Sequence, residues 1–174
     1  MRNKTKVGPL PLLCNLVGTL ILLSVILTCL GILAPQWMGY SVYRVVSGSM
    51  EPEIPVGSAV YVATIAPEAV EQGDIIAFQS GDSVITHRVV KNQVVEGTYT
   101  TKGDANAGED MNTVPYGSLL EIVRYRVPVL GDFMAILTST VGKIYLICFA
   151  ACGAMLNMLA GRIREKRRSA AKAE

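Results

Sequence analysis

From Pro9 to Ala34 the sequence runs for 26 positions without one charged residue. About 20 apolar residues in a helix suffice to cross the roughly 30 Å hydrocarbon core of a bilayer, so this run is expected to be a membrane span. A second apolar stretch runs from Phe133 to Ala160, interrupted only by Lys143. The segment between them differs in kind. Residues 35–134 carry twelve acidic and six basic side chains, a net charge of −6. The flanks are basic: Arg2, Lys4 and Lys6 precede the first run, and Arg162, Arg164, Lys166, Arg167, Arg168 and Lys172 follow the second against Glu165 and Glu174. Positive charge marks the cytoplasmic side of a span, so both ends are expected in the cytoplasm and the middle outside.

The expected division is a cytoplasmic segment 1–8, a transmembrane helix 9–34, an outside domain 35–134, a second transmembrane helix 135–160 with a partly interfacial start, and a basic cytoplasmic tail 161–174. The first run is longer than the roughly 7–15-residue apolar core of a cleaved export signal and reads as a retained anchor. Trp37 and Tyr40 suit the interfacial belt, and Lys143 is expected to snorkel toward the membrane surface. The net charge of +2 hides the asymmetry and gives no reason to expect nucleic acid. The basic tail reads as a topology signal within reach of anionic lipid. All four cysteines, Cys14, Cys29, Cys148 and Cys152, fall inside the apolar runs. Cys148 and Cys152 are spaced i, i+4, and with no histidine near them they read as buried small apolar residues rather than metal ligands. No metal and no cofactor is expected.

The middle section reads as β. Runs rich in Val, Ile and Tyr (Tyr40–Val46, Ser58–Ala63, Ile75–Gln79, Ser83–Val90, Gln93–Thr101 and Leu119–Val127) are separated by turn residues such as Gly57, Gly73-Asp74, Gly81-Asp82 and Gly103-Asp104. Short strands with tight connections predict a mainly β fold: a small, curled antiparallel domain flanked by two transmembrane helices. Pro52 and Pro55 exclude Ile54–Val56 from any central strand.

Three features of this domain carry chemistry. Ser47-Gly48-Ser49-Met50-Glu51-Pro52 follows the first apolar run closely. Ser-Gly-Ser alone is common in solvated turns. A glycine before a serine, however, lets the backbone turn sharply and approach a substrate carbonyl. The Ser49 N–H and the Ser47 hydroxyl are then candidate donors to an oxyanion. A serine nucleophile needs a base, and His87 is the only histidine in the chain. It lies among β-branched residues, with Ile85 on its face and Thr86 and Arg88 on the other. Such an imidazole needs a partner for each nitrogen, and a serine and a carboxylate would supply them. The acidic loop Lys102–Asp110 offers Asp104, Glu109 and Asp110; either aspartate is free to orient His87, and spacing does not decide between them.

In this order the motifs resemble those of the type I signal peptidases, in the group that includes the endoplasmic-reticulum, archaeal and spore-former enzymes. Ser47–Pro52 is similar to the nucleophile box and Gly73-Asp74-Ile75-Ile76-Ala77-Phe78 to the following strand. Thr86-His87-Arg88-Val89-Val90 is similar to the general-base box. Lys102-Gly103-Asp104-Ala105-Asn106 resembles the GDN-type box, from which Ala105 is a small departure, and Arg124–Gly131 the last box. Many bacterial members have lysine where this chain has His87, so the resemblance is to the Ser-His subgroup. It implies a membrane-bound serine endopeptidase that removes signal peptides from exported preproteins after small residues at −1 and −3. Ser49 is then the nucleophile, His87 the base and Asp110 the favoured acid, with Ser47 on the oxyanion and Asp104 supporting the loop. Substrate is expected to add as a strand near Tyr43–Val46 and Val84–Thr86, which singles out Tyr43, Val46, Val84, Ile85 and Thr86. Implied partners are signal peptides, the bilayer and the secretion translocon. The layout points to the cell membrane of a Gram-positive bacterium or an archaeon. The same residues suit a protease of this fold dedicated to a few substrates. A non-catalytic anchored scaffold is the alternative of another class.

Overall fold

The computed structural model describes residues 9–173; the basic segment 1–8 and Glu174 lie outside the described residues. The chain forms two compact units. One is helical and draws on both ends of the chain, up to Ile32 and from Leu137 onward; the other is the β unit Leu33–Ile136.

Helix α1 spans Pro9–Trp37, α2 spans Leu130–Thr138 and α3 spans Thr140–Ala173. Pro9–Trp37 and Thr140–Ala170 are long and apolar enough to cross a membrane. The first helix continues three residues beyond the expected span 9–34. Pro35 sits in its last turn, and the helix ends two residues later. The second helical stretch starts earlier than its apolar pattern suggests and is broken at Ser139. There the serine hydroxyl accepts the Gly142 N–H at 3.1 Å, a helix N-cap that opens α3. Helix α3 then runs on through the basic segment to Ala173.

Within the helical unit α1 and α3 meet backbone to backbone. A Cβ added at Gly18 would lie 2.7 Å from the Gly153 carbonyl oxygen and 2.6 Å from Asn157 Oδ1. One added at Gly153 would lie 2.8 Å from Ile21 Cγ2. Small residues at such a crossing let two apolar helices close on each other. Cys29, Cys148 and Cys152 are exposed and Cys14 is half-buried. The expectation that Cys148 and Cys152 are buried is therefore corrected: both lie off the face on which the helices pack. Lys143 is exposed in the first turn of α3.

The β unit is one seven-stranded sheet: β1 (Ser41–Arg44), β2 (Ala59–Ala63), β3 (Ile75–Ser80), β4 (Ser83–Gln93), β5 (Thr98–Lys102), β6 (Val114–Pro115) and β7 (Leu119–Val127). Its order is β1-β2-β7-β3-β4-β5-β6, and every pairing is antiparallel. Strand β3 is the partition. Its run Ile75-Ile76-Ala77-Phe78 is buried on both faces, as a continuous apolar strand should be. Ile75 and Ala77 join Val45, Met50, Ile54, Val60 and Val62 in one cluster. Ile76 and Phe78 join Val70, Val89, Tyr99 and Val114 in the other. The expected strand Gln93–Thr101 starts late because residues 94–97 form the β4–β5 turn.

Candidate active site

Ser49 sits on a loop closed at its base. The Val45 N–H donates to the Ser58 carbonyl at 2.9 Å and the Gly57 N–H to the Val45 carbonyl at 2.9 Å. Met50 and Ile54, 2% and 0% exposed, anchor the loop in the first cluster. Hydrophobic burial on one side of the loop thus fixes the serine on the other. Val45, Val46, Ser47, Ser49, Met50, Ile54 and Thr86 line a partly open pocket of about 30 Å³.

His87 lies on β4, opposite Ile76 of β3, and its ring meets Phe78 edge-on at 6.2 Å. Strand β5 pairs with β4 only from Arg88 onward, so Ser83–His87 is paired on one side alone among the described residues. The loop after β5 comes past this open stretch. Its Gly103 comes close to both: a Cβ there would lie 2.7 Å from the Ser49 carbonyl oxygen and 3.0 Å from His87 Nε2. Only glycine lets the serine loop and the imidazole converge there. The Ala105 N–H donates to the same Ser49 carbonyl at 2.9 Å.

The two aspartates of the loop part company. Asp110 Oδ2 lies 2.6 Å from His87 Nδ1 and also accepts the Thr101 hydroxyl at 2.7 Å. Asp104 faces Arg88, which donates Nε–H and Nη2–H to its two oxygens at 2.8 and 2.6 Å. Arg88 also donates Nη1–H to the Gly73 carbonyl at 2.8 Å. Those Asp104 hydrogen bonds hold the Arg88 guanidinium above its ordinary range, against a smaller opposing effect of burial. With Nδ1–H donated to Asp110, Nε2 keeps its lone pair, and it lies beside Gly103, which the Ser49 carbonyl also approaches. The arrangement can therefore take up a proton from a hydroxyl and carry the resulting imidazolium against a carboxylate.

No family model matches the chain. Part of it is similar to a signal peptidase. The relative is Signal peptidase I W of Bacillus subtilis (strain 168), 40% identical over 80 residues. The match covers 44% of this chain and 42% of that protein.

The remaining candidates fall in different places. Ser47, Val46 and Thr86 share the pocket with Ser49. Tyr43 packs on the first cluster and lines an open groove with Gln36 and residues 39–42. Ile85 packs against the second cluster, while Val84 is exposed. Sequence reading passed over Thr101, because a threonine in a β run is what strand propensity alone predicts. It treated Arg88 only as a face marker, although its place beside His87 was a signal.

Proposed function

We propose that this protein is a membrane-bound serine endopeptidase of the Ser-His subgroup that cleaves signal peptides from exported preproteins. The observation that carries the reading is the 2.6 Å contact of His87 Nδ1 with Asp110 Oδ2, with Nε2 turned to the Gly103 crossing beside Ser49. The partial similarity to a signal peptidase I supports the substrate class.

In this mechanism Ser49 Oγ attacks the scissile carbonyl while His87 Nε2 takes the hydroxyl proton. The tetrahedral oxyanion is met by the Ser49 N–H and the Ser47 hydroxyl. His87 then gives its proton to the leaving amine, and an acyl-enzyme remains on Ser49. Water, deprotonated by the same imidazole, releases the new carboxyl end. Asp110 holds the Nδ1–H tautomer and stabilises the imidazolium throughout.

Specificity follows from two features. The pocket of about 30 Å³ beside Ser49, floored by Met50 and Ile54, accommodates roughly a methyl group, which suits a small residue at −1. The free sides of β1 and of Ser83–His87 offer main-chain partners to an extended peptide. Two helices able to cross a membrane favour an anchored enzyme with an outside β unit and cytoplasmic ends, in a Gram-positive or archaeal cell membrane. Ser49 follows Pro35 by 14 residues, so the chain keeps it within about 50 Å of the first span, where signal peptides emerge. That raises the effective concentration of substrate, and a preprotein leaving the translocon is its natural partner.

The test is to reconstitute the full chain in lipid vesicles with a preprotein and sequence the new N-terminus. Cleavage after small residues at −1 and −3 is expected. Absence of cleavage, or cuts scattered through the mature part, rejects the reading.

A further inference from the structure

We propose that Thr101 is the residue that positions Asp110 for catalysis, a role that rests on the function proposed above. Thr101 is fully buried, and its side chain points to the same side of β5 as Tyr99 of the second apolar cluster. Valine would fill that place equally well, and a hydroxyl at zero exposure is costly unless bonded. Its bond goes to Asp110 Oδ2 at 2.7 Å, the same oxygen that faces His87 Nδ1 at 2.6 Å. The main chain adds a second point of attachment, because the Asp110 N–H donates to the Thr101 carbonyl at 2.9 Å.

Two attachments from one residue fix both where Asp110 leaves the backbone and how its carboxylate is turned. This matters because Asp110 comes from a loop exposed at Ala105–Glu109, with its own side chain 23% exposed. A carboxylate so placed turns freely toward water unless something inside holds it. Arg88 does not serve, since its guanidinium is taken by Asp104 and the Gly73 carbonyl. Thr101 is the inner stop. Two donors on one oxygen keep Oδ2 in line with the imidazole, and the imidazole then keeps Nε2 toward Ser49.

The experiment compares Thr101→Val and Thr101→Ser with the wild-type chain. Valine keeps the β-branched shape and removes the donor; serine restores the donor with less packing. In Thr101→Val, kcat is expected to fall about tenfold or more, in line with loss of a hydrogen bond to a charged group, while KM stays within about twofold. Thr101→Ser is expected to recover most of kcat even though it packs less well than valine. A second readout does not need activity. The chain has one histidine, so the downfield proton resonance of the His87 Nδ1–H···Asp110 bond is unambiguous. It is expected in the wild type and Thr101→Ser and broadened or lost in folded Thr101→Val. An unchanged resonance and kcat in Thr101→Val, or serine no better than valine, overturns the proposal. A wild type that shows the resonance but cleaves no preprotein rejects the peptidase reading instead, and the resonance series still decides the role of Thr101.

Discussion

Asp104 and Asp110 stand six residues apart in one loop, yet their partners give them different work. Asp110 meets the imidazole, and Asp104 meets Arg88. Asp110→Asn is therefore expected to cost kcat heavily with a near-normal melting temperature, because an amide neither fixes the Nδ1–H tautomer nor stabilises imidazolium. Asp104→Asn is expected to lose about 1.5–3 kcal/mol of stability with a smaller effect on kcat, because it breaks a two-point charged pair. Steady-state kinetics and thermal melts of the two variants check this, and the reverse pattern would exchange the roles. Gly103 supplies a second prediction. Gly103→Ala sets a methyl 2.7 Å from the Ser49 carbonyl oxygen and 3.0 Å from His87 Nε2, so one of them must move. Displacements of about 1 Å at a reacting centre cost about 10²-fold, and a loss of that order in kcat is expected.

Strand identity was legible because β runs and turn residues alternate so regularly, and β3 shows why. Ile75–Phe78 is apolar at every position, and the sheet buries both of its faces. The long β4 and the two-residue β6 were not legible, since pairing rather than propensity decides where a strand stops. The choice between the two aspartates was hidden for a related reason: it depends on how residues 103–110 fold back over β4, a non-local contact. The motif Ser47–Pro52 was readable, but its anchoring through Met50 and Ile54 needed the packing. Strand β5 yields a pH prediction. Burial pushes the Tyr99 phenol up from its ordinary value of 10.0, with Tyr116 and Glu68 adding to the effect, and its hydroxyl donates to the Pro67 carbonyl at 2.9 Å. Because the folded value is raised, its contribution to stability is complete below about pH 10 and drains away as pH climbs from there toward the folded value. Melts between pH 9 and 11 should show this fall, and Tyr99→Phe should flatten it.

The two units of the chain present different surfaces. The helical unit packs through Gly18 and Gly153 and turns apolar side chains outward: Leu12, Leu16, Leu27, Ile147 and Met155 are all more than half exposed. Apolar surfaces of this extent mark contact with a membrane or with another protein. Gly18→Leu is expected to loosen the α1–α3 contact and lower the detergent stability of that unit, read by helical circular dichroism on heating. The β unit is folded around its own two clusters and needs no disulfide, since all four cysteines lie on the helices. The account as a whole rests on Ser49 as the nucleophile. The most direct measurement is kcat/KM for preprotein cleavage by the reconstituted chain, wild type beside Ser49→Ala. The variant should fold normally and lose at least about 10³-fold. Turnover by Ser49→Ala within about tenfold of wild type would contradict the account.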